Sequence, residues 1–337
     1  MTAAAKTITG PRLWLEALYR PPDVDPAAVD PLGRWLILGR VAVSVMSVIS
    51  ALIGGMLALR EDEFNLGLLM LCALGLLLAH TGSNLVNDYF DHARGADSPD
   101  SPRVNYGPHP LAGEGRSRRE FAFVTLLVLA AATAIGITLV VASGPGVLVF
   151  ALIGAALLLA YSGGPFPLKY LGFGEIAVFF IWGPLMIGGT YYVITEELPA
   201  WVLLASIPYG LGVTTVLFGK HLDKLEFDSS KGIRTMPVVL GQSLARRVTV
   251  VLSVLMYAST AALAVWQEMW ALVLVLGAVP LLLLLVRVYR NPKPDEPPEG
   301  YRGWPLWFVG IAFIHNRRFG MLFVAGLAIQ LAAETVV

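Results

Sequence analysis

Four polar side chains that could hold a metal ion lie at the end of a long apolar run. Residues 66–85 are mostly apolar, and Asn84, Asn87, Asp88 and Asp91 lie at the end of this run at helical spacing. At about 100° per residue, these four side chains share an arc of about 100° on one helix face. Two carboxylates and two amides suit Mg²⁺, which leaves further positions for water and substrate phosphate. The pattern predicts a magnesium site, and a solvated polar helix end is the simpler alternative.

A second acidic cluster contains Asp223, Glu226 and Asp228. The cations around it are Lys220, Lys224, Lys231 and Arg234. Such mixing of charges fits a metal–diphosphate site, and an ordinary solvated loop with ion pairs is the alternative. On a regular helix Asp228 would lie about 140° from Asp223, so we expect a helix end or a bulge between them.

A turn rich in glycine and proline lies between the two clusters, at residues 161–175. Gly and Pro at this density cannot continue a helix. The turn gathers Tyr161, Lys169 and Glu175, and a tight turn alone does not explain that gathering.

The composition indicates a membrane protein. The chain is 56% hydrophobic and 14% charged, whereas soluble domains carry about 25% charged residues. Runs of about 18 or more apolar residues mark membrane-spanning helices. The predicted spans lie near residues 34–59, 65–87, 120–142, 145–162, 173–194, 199–219, 245–266, 269–289 and 319–336. We therefore expect an all-α, polytopic membrane protein with nine transmembrane helices in one bundle.

The rest of the chain is expected to be interfacial or loop structure. Residues 1–33 form an N-terminal arm whose Trp14 belongs to a short helix on the membrane surface, followed by one domain over 34–337. The apolar stretch Trp304–Ile314 is short, and we expect a re-entrant or interfacial piece there. Cys72 is the only cysteine, so it forms no internal disulfide and is assigned to packing.

The distribution of basic residues predicts the orientation. If the N-terminus is cytoplasmic, every Lys and Arg except Arg60 falls on the cytoplasmic side, as the positive-inside rule requires. Both acidic clusters then face the cytoplasm. We expect a multi-pass protein of the cell membrane whose active site opens to the cytoplasmic side.

Three motifs together resemble the UbiA superfamily of intramembrane prenyltransferases. They are Asn-Asp-Tyr-Phe-Asp followed by Gly-Ala-Asp, the turn Tyr-Ser-Gly-Gly-Pro-Phe-Pro-Leu, and a downstream Asp, Gly, Thr and Leu-Gly pattern. The branch that prenylates 1,4-dihydroxy-2-naphthoate in menaquinone synthesis is the most similar. The resemblance covers the chain from about residue 34 to its end.

The resemblance implies a site for Mg²⁺, a polyprenyl diphosphate and an aromatic acceptor within the lipid bilayer, and no nucleic-acid partner. Mg²⁺ would be held by Asp88, Asp91, Asp223 and Asp228, with Lys169 neutralising the leaving diphosphate and Tyr161 beside the allylic cation. Further metal ligands could be Asn84, Asn87, Asp97 and Glu226. Substrate-binding candidates are Asn84, Asn87, Arg103, His109, Lys220, His221, Lys224 and Arg234.

The second motif departs from the resemblance and leaves the acceptor open. Relatives usually carry Arg-Asp four residues before the later Asp, where this chain has Lys224 before Asp228. His109 stands where relatives often have Arg. His221 could be a base for an acceptor hydroxyl or a structural histidine, and His80 could face the cavity or a neighbouring helix.

Two other functions remain open at this point. A terpene cyclase of the same fold would keep the aspartates and need no acceptor. A transporter would also explain polar residues in a membrane protein, although it would more often place them in broken helices near the middle of the bilayer.

Overall fold

The computed structural model describes residues 10–19, 29–97, 101–102, 109–111, 117–301 and 304–334. These residues form helices and no β-strand. In chain order the helices are α1 (Pro11–Tyr19), α2 (Pro31–Leu38), α3 (Val41–Arg60), α4 (Leu66–Ala93), α5 (Arg118–Ser143), α6 (Gly146–Ser162), α7 (Gly174–Thr195), α8 (Ala200–Asp223), α9 (Leu225–Ser230), α10 (Met236–Leu240), α11 (Gln242–Gln267), α12 (Trp270–Tyr289) and α13 (Phe308–Glu334).

The described helices make this a multi-pass membrane protein. Seven of them, α3, α4, α5, α7, α8, α11 and α12, are long and apolar enough to cross a bilayer by length and composition. Helix α6 is apolar but has only 17 residues, and α13 has 27 residues with arginines in its first half. Nine spans, the orientation and the division into an arm and a domain stay predictions.

The first predicted span, 34–59, begins later than expected. Helix α2 ends at Leu38, and Arg40 adopts a left-handed backbone conformation with φ of 55° before α3 starts at Val41. A left-handed residue other than glycine or asparagine is unusual and ends the helix at that point. The break separates α2 from α3 and turns Arg40 toward α4.

The last predicted span, 319–336, and the re-entrant piece over Trp304–Ile314 need correction. Helix α13 is continuous from Phe308, so most of that piece belongs to the helix. Two of the polar residues that follow the apolar stretch face the bundle: His315 and Asn316 are fully buried, and the hydroxyl of Tyr257 lies 2.9 Å from His315 Nε2. A helix satisfies its own backbone within the membrane, and polar side chains that face a partner helix do not break it.

Helix α8 lies at the centre of the bundle and packs against α7, α11 and α13. Helix α7 has a stretch of π-helix around Pro184, and Gly183 there lies close to Gly210 of α8. A Cβ on Gly210 would lie 2.9 Å from the carbonyl oxygen of Phe179, so only glycine allows this approach. The contact fixes the ends of α7 and α8 side by side, which places Glu175 next to His221.

The outer helices present apolar surface. Phe123 and Val141 of α5 and Leu152 of α6 are 67%, 82% and 61% exposed. Apolar exposure of this extent on long helices is what a lipid bilayer covers.

Candidate active site

Three of the predicted site residues lie together on the last turns of α4. Asp88 and Asp91 are fully buried, and Asn87 donates from Nδ2 to Asp91 Oδ2 at 2.8 Å. The predicted helix, 65–87, in fact continues to Ala93, so it carries both carboxylates. Ser162, at the end of α6, donates to Asn87 Oδ1 at 2.6 Å and fixes the orientation of the amide.

The glycine-rich turn brings a cation to Asp91. Lys169 is buried and its Nζ donates to Asp91 Oδ2, while the hydroxyl of Tyr170 donates to Asp91 Oδ1 at 2.8 Å. Gly163 allows the turn to pass Phe90, because a Cβ there would lie 2.8 Å from the phenyl ring. The short helical turn Leu168–Leu171 then directs Lys169 inward.

Arg40 reaches the same site from the N-terminal side. Its Nη2 donates to Asp88 Oδ1 and to the carbonyl oxygen of Asn84, both at 2.8 Å. Asn84 in turn donates from Nδ2 to the carbonyl oxygen of Gly39 at 3.3 Å. Two cations, Arg40 and Lys169, therefore form ion pairs with the carboxylates of the first predicted metal cluster.

A group of buried side chains that could ligate a metal ion includes Asp88. His109 Nε2 lies 3.2 Å from Asp97 Oδ2, and both residues are buried. One ligand atom each of Asp88, Asp97 and His109 lie within 4.8 Å of one another. Within the described part of the chain, this is the group of acidic and histidine side chains close enough to share one ion.

The second cluster contributes Asp228. Helix α8 ends at Asp223 and α9 starts at Leu225, so the predicted helix end between Asp223 and Asp228 is confirmed. Asp228 is fully buried, and Lys224 Nζ lies 3.4 Å from its Oδ1. Neither carboxylate oxygen of Asp228 accepts a hydrogen bond from any described residue.

Asp223 is engaged elsewhere. Its two carboxylate oxygens accept hydrogen bonds from the backbone N–H groups of Phe308 and Val309, both at 3.0 Å, and Lys293 Nζ lies 3.6 Å away. These are the first N–H groups of α13, which have no partner within the helix. Asp223 thus acts as a remote N-terminal cap for α13, and the structure does not bring it to Asp91.

Replacing Asp223 with alanine is expected to lower stability and leave metal binding unchanged. The loss of a capping side chain costs about 0.5–2 kcal/mol of stability. Thermal unfolding in detergent measures the first effect, and titration with Mn²⁺ followed by electron paramagnetic resonance measures the second. A large fall in Mn²⁺ affinity with unchanged unfolding temperature would return Asp223 to the metal site.

The remaining predicted residues divide between the interior and the surface. His221 Nδ1 lies 2.6 Å from Glu175 Oε1, and both are buried. Glu226 and Arg234 are exposed, and Arg103 lies outside the described residues. His80 is buried in α4, where its Nδ1 lies 2.9 Å from Ser47 Oγ and its ring meets Trp182 edge to face.

A large apolar cavity adjoins the polar groups. Its volume is about 1230 Å³, and its walls come mainly from α3 to α8 and α13. Arg40, Asn84, Asn87, Tyr161 and Lys220 line it, and the other walls are mostly leucine, valine, isoleucine and alanine. The cavity thus joins the polar groups of the site to walls that are mostly apolar, as an amphiphilic ligand requires.

Electrostatics keep the buried groups outside the helices charged. Burial lowers the pKa of Lys169, but Asp91, Asp97 and Asp228 outweigh it and raise the pKa above its ordinary value. Burial raises the pKa of Asp97, but the hydrogen bond from His109 and the nearby lysines lower it overall. Both groups are therefore ionised at neutral pH. The site is a network of ion pairs between carboxylates and basic side chains.

Three residues of the site were not predicted from the sequence: Arg40, Tyr170 and Arg94. Arg40 lies more than forty residues before Asp88, and nothing in its local pattern predicts the left-handed turn. Tyr170 follows Lys169 directly and could have been suspected as a second donor on the turn. Arg94 binds the carbonyl oxygens of Ser162 and Gly164 and holds the turn on α4.

The residues fit a divalent cation with hard ligands. Asp228 offers two buried oxygens without a hydrogen bond, and Asp88 and Asp97 offer oxygens within one coordination sphere of each other. Carboxylate oxygen is the ligand that Mg²⁺ prefers. Asp88 and Asp97, together with the Asp228 oxygens that accept no hydrogen bond, are therefore the groups that would hold the ion. A metal role for Asp91 stays a prediction, because both of its oxygens already accept hydrogen bonds.

The model of the UbiA prenyltransferase family matches residues 47–316, and the chain belongs to this family. It is 29% identical to a 1,4-dihydroxy-2-naphthoate octaprenyltransferase of Haemophilus influenzae over 280 residues, which are 79% of this chain and 89% of that protein.

A second relative supports this assignment, and a solved structure shares the fold. The chain is 24% identical to a 1,4-dihydroxy-2-naphthoate octaprenyltransferase of Bacillus subtilis over 255 residues, covering 76% of this chain and 78% of that protein. The structure of a UbiA homologue from Archaeoglobus fulgidus, bound to GPP and Mg²⁺, superposes with a TM-score of 0.56. That likeness covers 87% of this chain and 99% of the other at 16% identity, and it shows the fold.

Proposed function

We propose that this prenyltransferase moves a polyprenyl group from its diphosphate to a 1,4-dihydroxy-2-naphthoate-like acceptor, with Mg²⁺ as cofactor. The observation that carries the proposal is that the buried network of ion pairs adjoins a large apolar cavity. A diphosphate with a long hydrocarbon tail is the ligand whose two ends match these two environments. The naphthoate relatives support the acceptor class.

The cations of the site bind and neutralise the diphosphate. Arg40, Lys169 and Lys224 are already held by Asp88, Asp91 and Asp228, so they are oriented before the substrate arrives. When bound, Mg²⁺ would stabilise the negative charge that develops on the leaving diphosphate oxygen. Ion pairs in a buried site act more strongly than in water, because little solvent screens them.

The cavity then governs what the allylic group meets. The bond between the prenyl carbon and the diphosphate oxygen breaks, and the diphosphate leaves with the electron pair. A ring carbon of the acceptor supplies the pair for the new carbon–carbon bond and loses its proton or carboxyl group to restore aromaticity. Apolar walls exclude water from the allylic cation, and the Tyr161 ring on the cavity wall adds aromatic density beside it.

The proposal is tested with purified protein in lipid vesicles, a polyprenyl diphosphate and 1,4-dihydroxy-2-naphthoate, with products identified by mass spectrometry. We expect a prenylated naphthalene product that requires Mg²⁺ and is lost on chelation. Formation of a cyclised hydrocarbon without the acceptor would instead establish a terpene cyclase. Transfer that continues at full rate after complete chelation would contradict the role of the metal.

We also propose that the site faces the cytoplasm in the cell membrane, which cysteine labelling can test. Cys72 is buried, so a single new cysteine gives a clear signal. The Ser230→Cys variant should react with a membrane-impermeant maleimide only from the cytoplasmic side. The matched Glu197→Cys variant, also at an exposed position, should react only from the opposite side. Reversed labelling of the pair would overturn the orientation.

A further inference from the structure

Lys220 differs from the other cations of the site because it has no acidic partner. Arg40 lies 2.8 Å from Asp88, Lys224 lies 3.4 Å from Asp228, and Lys169 contacts Asp91. Lys220 forms no hydrogen bond or ion pair with any described residue. An ammonium group removed from bulk water without a counter-ion is costly.

The surroundings of Lys220 make an anion the missing partner. Arg40, Lys169 and Lys224 repel its ammonium, and Asp91 attracts it. Asp91 itself is already bound by Lys169 and Tyr170. A negatively charged ligand beside Lys220 would therefore relieve repulsion that the folded protein leaves in place.

The position of Lys220 favours the acceptor over the diphosphate. Its side chain lines the cavity, and so do Val213, Val216 and Leu217, which lie on the same face of α8. Trp182 and Tyr161 contribute aromatic surface to the same cavity. A flat ring with an acidic substituent can rest on these apolar and aromatic walls with its charge at Lys220. The diphosphate does not need Lys220, because Arg40, Lys169 and Lys224 are the cations proposed to bind it.

We propose that Lys220 binds the carboxylate of the aromatic acceptor and so selects carboxylated naphthalenes over neutral ones. The proposal rests on the proposed function and assigns to Lys220 the recognition of one chemical group. A lysine–carboxylate pair with both partners withdrawn from water gives a charge-assisted hydrogen bond, which is stronger than a neutral one. The pair would fix the orientation of the ring relative to the cation.

The test compares two acceptors and three variants. The acceptors are 1,4-dihydroxy-2-naphthoate and 1,4-dihydroxynaphthalene, which lacks the carboxylate. Their dissociation constants are measured on purified protein by fluorescence quenching, and transfer is measured with one fixed polyprenyl diphosphate. The variants are Lys220→Met, the conservative Lys220→Arg, and Arg290→Met as a control for loss of an exposed charge at the end of α12.

We expect wild type to bind the carboxylated acceptor more tightly than the neutral one. Lys220→Met should weaken binding of the carboxylated acceptor by about 10-fold or more, the usual effect of losing a charged hydrogen bond. Binding of the neutral acceptor and the KM for the diphosphate should stay within about threefold of wild type, and Lys220→Arg should restore part of the preference.

Two results would overturn the assignment. One is equal weakening of both acceptors in Lys220→Met. The other is an increased KM for the diphosphate with unchanged acceptor binding, which would place Lys220 among the diphosphate cations. Wild-type protein that transfers the prenyl group to neither acceptor would refute the proposed function itself. Transfer by the wild-type protein is therefore measured before any variant is made.

Discussion

Replacing Asp91 with asparagine is expected to abolish prenyl transfer, the largest effect of any single substitution in the site. Asp91 accepts hydrogen bonds from Lys169, Tyr170 and Asn87 and is also a proposed metal ligand. Changes in groups that only support a metal ligand cost about 10–100-fold in affinity or activity. The loss of the ligand should therefore lower Mn²⁺ affinity and turnover by at least about 100-fold.

The substitution also leaves Lys169 buried without its counter-ion, so folding needs a separate control. Breaking a buried ion pair on one side costs about 3–5 kcal/mol, whereas removing both charges is often neutral. The double variant Asp91→Asn with Lys169→Met should therefore recover thermal stability and remain inactive. Lys169→Met alone should keep its affinity for Mn²⁺ while losing affinity for the diphosphate.

These variants separate two roles of Asp91. If Asp91 served only to position Lys169, the Asp91→Asn and Lys169→Met proteins would bind Mn²⁺ equally well. Asp295→Asn, an exposed carboxylate in the segment before α13, controls for the loss of one negative charge. Near-normal turnover by a folded Asp91→Asn protein would contradict the metal–diphosphate assignment altogether.

Much of the fold follows from the sequence, because lipid imposes a simple rule. A span needs a continuous apolar run, and the runs in residues 120–142, 199–219 and 269–289 match observed helices within a few residues. The rule fails where polar side chains are buried inside the bundle. His315 and Asn316 are polar in sequence but buried in the structure, so the predicted start of the last helix was eleven residues too late.

The site was predictable where its residues share one local pattern. Asp88 and Asp91 lie on one helix face, and the turn that carries Lys169 lies beside them as the motifs indicate. Contacts between distant parts of the chain were not predictable. The left-handed turn at Arg40 and the pairing of Asp223 with α13 depend on packing across more than forty residues, which no local spacing encodes.

The second motif shows the same limit within six residues. Sequence spacing correctly placed a helix end between Asp223 and Asp228, because five residues do not align on a helix. That spacing did not say which carboxylate would face the metal. The end of the helix turns Asp228 toward Lys224 and leaves Asp223 at the start of α13.

Replacing Asp228 with asparagine should consequently weaken metal and diphosphate binding strongly, while the matched Asp223→Asn should not. Asp228 has two buried oxygens that accept no hydrogen bond from the described residues, so its charge is available to an ion. As a metal ligand it should contribute at least the roughly 10–100-fold that supporting groups contribute. Both carboxylate oxygens of Asp223 accept hydrogen bonds from backbone N–H groups of α13. The Asp223→Asn variant should therefore show mainly a lower unfolding temperature.

The measurement is Mn²⁺ titration of both variants by electron paramagnetic resonance, with and without a non-hydrolysable diphosphate analogue. Asp228→Asn also removes the counter-ion of Lys224, which should then strengthen binding of the analogue in the absence of metal. A merely structural role of Asp228 would weaken binding with and without metal alike. Weak metal binding in Asp223→Asn and normal binding in Asp228→Asn would exchange the two assignments, and would place the metal at the start of α13.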